Sequence, residues 1–256
     1  MTHTMIAFEQ VSKLYDQTPV VDEISLTIDK GEFITILGTS GSGKTTTLKM
    51  INRLIEPTNG QIYFDGQNIK DLDAVALRRR IGYVVQQIGL FPHMTIGENI
   101  ATVPRLLGWE QEKINSRVTE LLEFVQLSPK EFTNRFPHQL SGGQQQRVGV
   151  ARALAADPNV MLFDEPFGAI DAITRGDLQD ELLRIHRELG DKTFVFITHD
   201  LYEAFKLGSR VLIMDQGKIA QFDSPKAILR APQNDFVRKL ITTAKNQELL
   251  WEDEYD

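Results

Sequence analysis

The chain switches repeatedly between short apolar runs and longer stretches in which apolar residues recur every three or four positions. Residues 33–37, 160–163 and 193–197 are nearly continuous runs of aliphatic, β-branched and aromatic residues, the pattern of strands buried on both faces. Residues 6–15 alternate instead, as do residues 20–28 through Val21, Ile24, Leu26 and Ile28. With residues 61–64 and the Asp65-Gly66 turn behind them, these predict a small antiparallel sheet. Further strands are predicted at 81–85, 210–214 and 218–222, the last two flanking Asp215-Gln216-Gly217. Helical spacing predicts helices over 46–54 (Leu48, Ile51 and Leu54 on one side), 144–155, 177–189 and 201–207. Residues 96–125 also read as helical, interrupted near Pro104 and Gly108, with Leu121, Leu122 and Val125 on a buried face. Pro92 makes residues 90–95 a loop.

Strands alternating with helices predict an α/β fold: a mainly parallel sheet covered on both faces, with an antiparallel β subdomain and an inserted helical subdomain over about 88–155. Residues 1–240 read as one domain, and the acidic residues 241–256 as a flexible tail. In such folds ligands sit at the carboxyl ends of the strands, where Gly38, Gln86, Asp164 and His199 all fall.

The first of these positions carries the clearest chemistry. Gly38-Thr39-Ser40-Gly41-Ser42-Gly43-Lys44-Thr45 matches G-x-x-x-x-G-K-[ST] between a predicted strand and a predicted helix. Its glycines let backbone N–H groups approach phosphate oxygens, and the following helix, from Thr46, adds its unpaired N-terminal donors. Lys44 supplies a full charge to phosphate, and the Thr45 hydroxyl is a hard oxygen suited to Mg²⁺. A bare glycine-rich turn is the bland alternative, and strand, motif and helix together argue against it. This is read as a nucleotide phosphate site.

Asp164 ends the 160–163 strand, where a carboxylate can hold Mg²⁺ directly or through water. Its neighbour Glu165 suits a general base aimed at a water in line with the terminal phosphate, with a solvated strand end as the plain alternative. Leu140-Ser141-Gly142-Gly143-Gln144 precedes a helix and reads either as an N-cap or as a second anion site. Two phosphate-binding helix starts far apart in sequence give a chain reason to dimerise, each gripping one end of a nucleotide.

Composition narrows the remaining classes. Cysteine is absent, so there is no disulfide framework, thiolate metal site or cysteine nucleophile. A net charge of −7 disfavours broad adhesion to nucleic acid or anionic lipid, and no nucleic-acid partner is expected. Arg78-Arg79-Arg80 reads as a solvated helix end. The N-terminus lacks a secretory pattern, and no run of 18 uncharged apolar residues occurs.

The ordered set of motifs resembles the ATP-binding subunit of an ABC transporter, a P-loop NTPase (RecA-like) family, over about residues 6–240. The set comprises the loop Gly38, Thr39, Ser40, Gly41, Ser42, Gly43, Lys44, Thr45 with Thr46 behind it, Gln86, the Ser141-Gly142-Gly143-Gln144 signature, Asp164-Glu165, Gly168-Ala169-Ile170-Asp171, and His199. The resemblance implies ATP and Mg²⁺ as cofactors and a head-to-tail homodimer that ATP closes and hydrolysis reopens. Glu165 then resembles the family's general base, and His199 the residue holding the γ-phosphate and water. Gln86 resembles the sensor linking Mg²⁺ and the attacking water to the membrane partner. Ser141 and Gly143 resemble groups touching γ-phosphate across the dimer, Asp171 the D-loop aspartate, and Tyr15 the aromatic stacked on adenine. Gly168 stands where many members have serine, so no hydroxyl contact is carried over there.

Residues 80–96, continuing through Val103-Pro104-Arg105-Leu106-Leu107-Gly108-Trp109, are similar to subunits of bacterial importers for quaternary-amine osmoprotectants such as glycine betaine, carnitine or choline. That implies separate permease chains, a solute-binding protein, and a peripheral place on the cytoplasmic face of the membrane. Many such subunits carry a C-terminal pair of regulatory CBS modules; this sequence stops near where they would begin, either as a branch without them or as a truncated chain. A polar amino-acid importer and a soluble non-transport ABC ATPase are the alternatives.

Overall fold

The computed structural model describes residues 3–85, 89–168 and 170–252, with the side chains of the last helix described to residue 246. The strands are β1 (Thr4–Tyr15), β2 (Thr18–Asp29), β3 (Phe33–Gly38), β4 (Asn59–Phe64), β5 (Gln67–Asn68), β6 (Ile81–Val84), β7 (Val160–Asp164), β8 (Thr193–Thr198), β9 (Arg210–Asp215) and β10 (Lys218–Asp223). The helices are α1 (Lys44–Ile51), α2 (Ala74–Arg79), α3 (Ile96–Leu106), α4 (Gln111–Phe124), α5 (Pro129–Phe132), α6 (Gly142–Leu154), α7 (Ala172–Leu189), α8 (Leu201–Leu207), α9 (Pro225–Arg230) and α10 (Asp235–Glu252). Two compact units result, one from Met1–Asp71 with Val195–Asp256 and the other from Leu72–Phe194, the division falling within β8.

In the first unit, the alternating N-terminal segments form the antiparallel sheet β2-β1-β4-β5. The hairpin between β1 and β2 turns on Asp16 and Gln17, both left-handed (φ 46° and 66°), the backbone of a type I′ turn whose preferred residues are Asn-Gly. The apolar run 33–37 becomes β3, buried at every position and paired in parallel with β9, which pairs antiparallel with β10. Helix α8 lies on β3, and the buried Thr35 hydroxyl donates to the Ala204 carbonyl at 2.9 Å. Leu37, Val211 and Ile213 share a core with Ile228 of α9 and Val237 and Ile241 of α10. That apolar stripe carries α10 as helix to Glu252, into the segment the sequence reads as a flexible end.

The second unit contains the parallel pair β6 and β7, with Tyr83 opposite Leu162. Leu121, Leu122 and Val125 are buried, as their spacing predicts.

Three of the boundaries that differ from the sequence reading have a clear local cause. Helix α1 stops at Ile51 because Asn52 and the left-handed Arg53 (φ 53°) turn the chain, leaving Leu54 half exposed and off the buried stripe. Helix α3 continues through Pro104, which lies in its last turn, and the break comes at Gly108 (φ 70°). Helix α7 begins at Ala172 rather than 177, because the Asp171 carboxylate caps it by accepting from Thr174 N–H at 3.0 Å. Gly176 inside the first turns costs about 1 kcal/mol relative to alanine, which the cap and the buried Leu178, Leu182 and Ile185 offset.

The β1–β2 turn gives a direct check on these forces. Replacing Asp16-Gln17 by Asn-Gly relieves two left-handed side-chain residues and should raise stability by about 0.5–1 kcal/mol, read as a higher urea midpoint at unchanged slope. A lower midpoint would mean that Asp16 or Gln17 holds the hairpin by side-chain contacts.

Candidate functional site

The phosphate-loop candidate follows β3 in the first unit, and its shape is set by what packs beneath it. A Cβ on Gly38 would lie 2.3 Å from the Met214 carbonyl oxygen of β9. A Cβ on Gly43 would lie 2.6 Å from the Val20 carbonyl oxygen of β2, and Gly43 is itself left-handed (φ 97°). Both positions therefore require glycine. Between them the chain curls so that Ser42 N–H donates to the Thr39 carbonyl at 3.2 Å, while Ser40 and Gly41 stay exposed. The buried Lys44 ammonium donates to the carbonyls of Gly38 and Thr39, both at 2.9 Å, so its charge is held on the loop. Thr45 and Thr46 are half-buried in the first turn of α1.

Two further observations fit an anionic ligand. The Ser42 hydroxyl, 2% exposed, has no hydrogen-bond partner, and no side chain caps the start of α1. A buried orphan hydroxyl and uncapped helix donors are groups that phosphate oxygens satisfy.

His199, exposed at the end of β8, and Thr39 line the same open cleft of about 470 Å³ as Tyr202 of α8 and Lys239 of α10. Asp200 next to it caps α8, accepting from Glu203 N–H at 3.0 Å. Tyr15 ends β1, 46% exposed and with the Lys13 ammonium over its ring 5.1 Å from the centre, so it is a surface aromatic and not a core residue.

The other candidates lie in the second unit. Asp164 is half-buried at the end of β7, where its Oδ2 accepts from the Tyr83 hydroxyl at 3.0 Å. Burial, and then the Asp164 charge, push the Tyr83 phenol above its ordinary range, which keeps it a donor that fixes the carboxylate. Sequence reasoning passed over Tyr83; the parallel register that sets β6 against β7 is its only signal, and one strand alone does not reveal it. Glu165 has a left-handed backbone (φ 48°), an uncommon and strained conformation for a residue with a long side chain. Gln86 and Ala169 lie outside the described residues.

The signature turn is a helix cap. Ser141 Oγ accepts from Gln144 N–H at 3.3 Å, and the Gln144 amide oxygen accepts from Ser141 N–H at 3.0 Å, a reciprocal capping box. Ser141 and Gly142 are exposed, so the start of α6 remains open to solvent. Asp171 caps α7 by a one-sided bond from Thr174 N–H, and that amide holds its carboxyl below the usual carboxylate range. Among the described residues no group of three or more acidic, histidine or cysteine side chains forms a metal cluster.

The family described as ABC transporter matches residues 21–168, more than half of the chain. The chain belongs to this family. Within it, the chain is 57% identical over 238 residues to a glycine betaine/carnitine/choline transport ATP-binding protein of Bacillus subtilis (strain 168), covering 93% of this chain and 62% of that protein. It is 53% identical to a glycine betaine uptake system ATP-binding protein of Escherichia coli (strain K12), covering 93% of this chain and 76% of that one. The chain thus spans less than two thirds of the length of several ABC relatives that it matches. An ATP-binding cassette solved as a dimer in a post-hydrolysis state bound to ADP and Pi is 35% identical, with a TM-score of 0.74 over 86% of this chain and 98% of that one. The P-loop NTPase fold expected from the sequence is therefore the fold observed. No helix among the described residues is long and apolar enough to cross a membrane.

The strain at Glu165 can be measured apart from any chemistry. Glu165→Asn, a residue that tolerates the left-handed region, should stabilise the fold by about 1 kcal/mol, seen as a raised urea midpoint. A lowered midpoint would show that contacts of the glutamate outweigh the strain.

Proposed function

We propose that this chain binds and hydrolyses ATP to drive an importer for quaternary-amine osmoprotectants such as glycine betaine, carnitine or choline. The observation that carries this reading is a phosphate loop with an orphan buried hydroxyl and a loop-held lysine, in a chain 57% identical to a transport ATP-binding protein for those solutes. Its partners would be a second copy of the chain, separate permease chains and a solute-binding protein, with the ATPase peripheral on the cytoplasmic face of the membrane.

Each residue's part follows from its chemistry. Lys44 exchanges neutral carbonyl acceptors for anionic phosphate oxygens, which form stronger charge-assisted hydrogen bonds. The backbone from Thr39 to Gly43 and the first N–H groups of α1, at Thr45 and Thr46, complete the phosphate cradle, while Tyr15 offers its ring to a base. Mg²⁺, when bound, neutralises phosphate charge. The Thr45 hydroxyl and the Asp164 carboxylate, the latter held by Tyr83, are the hard oxygens suited to it, and Gln86 is assigned to the same ion and its water. Glu165 takes the proton of the attacking water, and His199 steadies the terminal phosphate. In a head-to-tail pair, the open start of α6 (Ser141, Gly142, Gly143 and Gln144) presents helix donors to the nucleotide of the other copy, with Asp171 alongside at the start of α7.

Glu165→Gln should still bind ATP and accumulate as an ATP-dependent dimer by light scattering, with turnover lower by about 10²–10⁴-fold. A variant that stays monomeric with ATP bound would overturn the mechanism. Lys44→Ala should weaken ATP affinity by roughly one to two orders of magnitude, and unchanged affinity would remove its assigned role. In cells lacking the chain, wild type but not Glu165→Gln should restore uptake of labelled glycine betaine, carnitine or choline. No uptake of any of the three would break the substrate assignment and leave the ATPase reading standing.

A further inference from the structure

Helices α6 and α7 meet along a seam that joins two segments assigned to the nucleotide, the open start of α6 and the Asp171-capped start of α7. At one end they touch so closely that a Cβ on Gly143 would lie 2.8 Å from Thr174 Cγ2 and 4.0 Å from Leu178 Cδ1. One turn further along α6, Arg147 Nη2 pairs with Glu181 Oε2 at 2.8 Å. Glu181 is 7% exposed on a stripe otherwise made by Leu178, Leu182 and Ile185. Arg184 approaches its other oxygen at 3.8 Å. Both arginines also tie down the end of α4: Arg147 donates to the Val125 carbonyl at 3.3 Å, and Arg184 donates to the Phe124 carbonyl.

This arrangement is a poor choice for stability alone. Burial pushes the Glu181 carboxyl up from its ordinary range even though both arginines oppose the shift. Both amide atoms of the buried Gln146 lack hydrogen-bond partners, beside a cavity of about 20 Å³ with apolar walls. Neither Glu181 oxygen has a hydrogen-bond partner, so the tie is an ion pair; well-packed apolar residues often replace such a pair at no loss, whereas a buried charge needs its partner opposite, which ties the two helices to one register.

We propose that Glu181 is a positioning residue: through Arg147 it locks the signature turn of α6 to the start of α7, so that the two segments meet a second copy's nucleotide as one rigid body. This rests on the ATP-driven dimer proposed above. Without the pair, α6 and α7 can slide along their remaining apolar contacts, and the donors at the start of α6 lose their aim. Binding of ATP to a single chain, which uses the Lys44 loop of the first unit, stays intact.

The decisive variant is the double substitution Arg147→Met with Glu181→Leu, because Glu181→Gln alone leaves Arg147 unpaired and can fail to fold. The double variant should keep a wild-type thermal midpoint and bind one ATP per chain with unchanged affinity. Its kcat should fall by about ten- to a hundredfold at unchanged KM for ATP. The ATP-dependent dimer of Glu165→Gln should weaken when the double substitution is added. Glu181→Asp, which keeps the charge, should recover part of kcat. A double variant that folds, dimerises and turns over like wild type would overturn the inference. If Glu165→Gln with an intact Glu181 fails to dimerise with ATP, the dimer reading falls and this inference falls with it; a normal reference dimer beside unchanged turnover in the double variant removes this inference alone.

Discussion

The first unit depends on two places where a backbone carbonyl occupies the space of a missing side chain. The Met214 carbonyl presses on Gly38 and the Val20 carbonyl on Gly43, so the loop between β3 and α1 rests on two separate strands. Bare backbone on both sides lets the loop pass close over both strands. The lysine is then drawn back onto the loop's own carbonyls, which holds a buried charge on the loop. Any side chain at either glycine would have to move a strand.

The second unit solves a related problem by capping. Ser141 and Asp171 each satisfy donors at a helix start, and both helices remain open enough at those ends for another group to approach. Capping thus serves the fold first, and the same exposed helix ends are the natural place for an anion. The Tyr83 hydroxyl has a comparable double part, because it satisfies a half-buried phenol and at the same time fixes one oxygen of Asp164.

Much of this was legible from residues alone, and the omissions have specific causes. Continuous apolar runs fixed β3, β7 and β8 because strands buried on both faces leave no other pattern. The phosphate loop was legible because its glycine, lysine and hydroxyl positions stand at fixed spacing between a strand and a helix, although the carbonyls that demand glycine at 38 and 43 come from other strands. Leu54 was misjudged because periodicity does not register a left-handed Arg53 ending the helix first. The start of α7 was set too late because helical spacing marks the buried stripe from Leu178 on and does not register the Asp171 cap before it. Tyr83 and the Arg147–Glu181 pair are contacts between residues far apart in the chain, and neither leaves a local trace.

The left-handed backbone at Glu165 has a consequence beyond the site. At that one position folding and chemistry pull in different directions, since glycine and asparagine, which relax a left-handed backbone, cannot take up a proton. Drift governed by folding alone would move away from glutamate there. In a lineage that no longer needs the chemistry, this carboxylate should be among the first groups to disappear, well before the glycines that shape the loop.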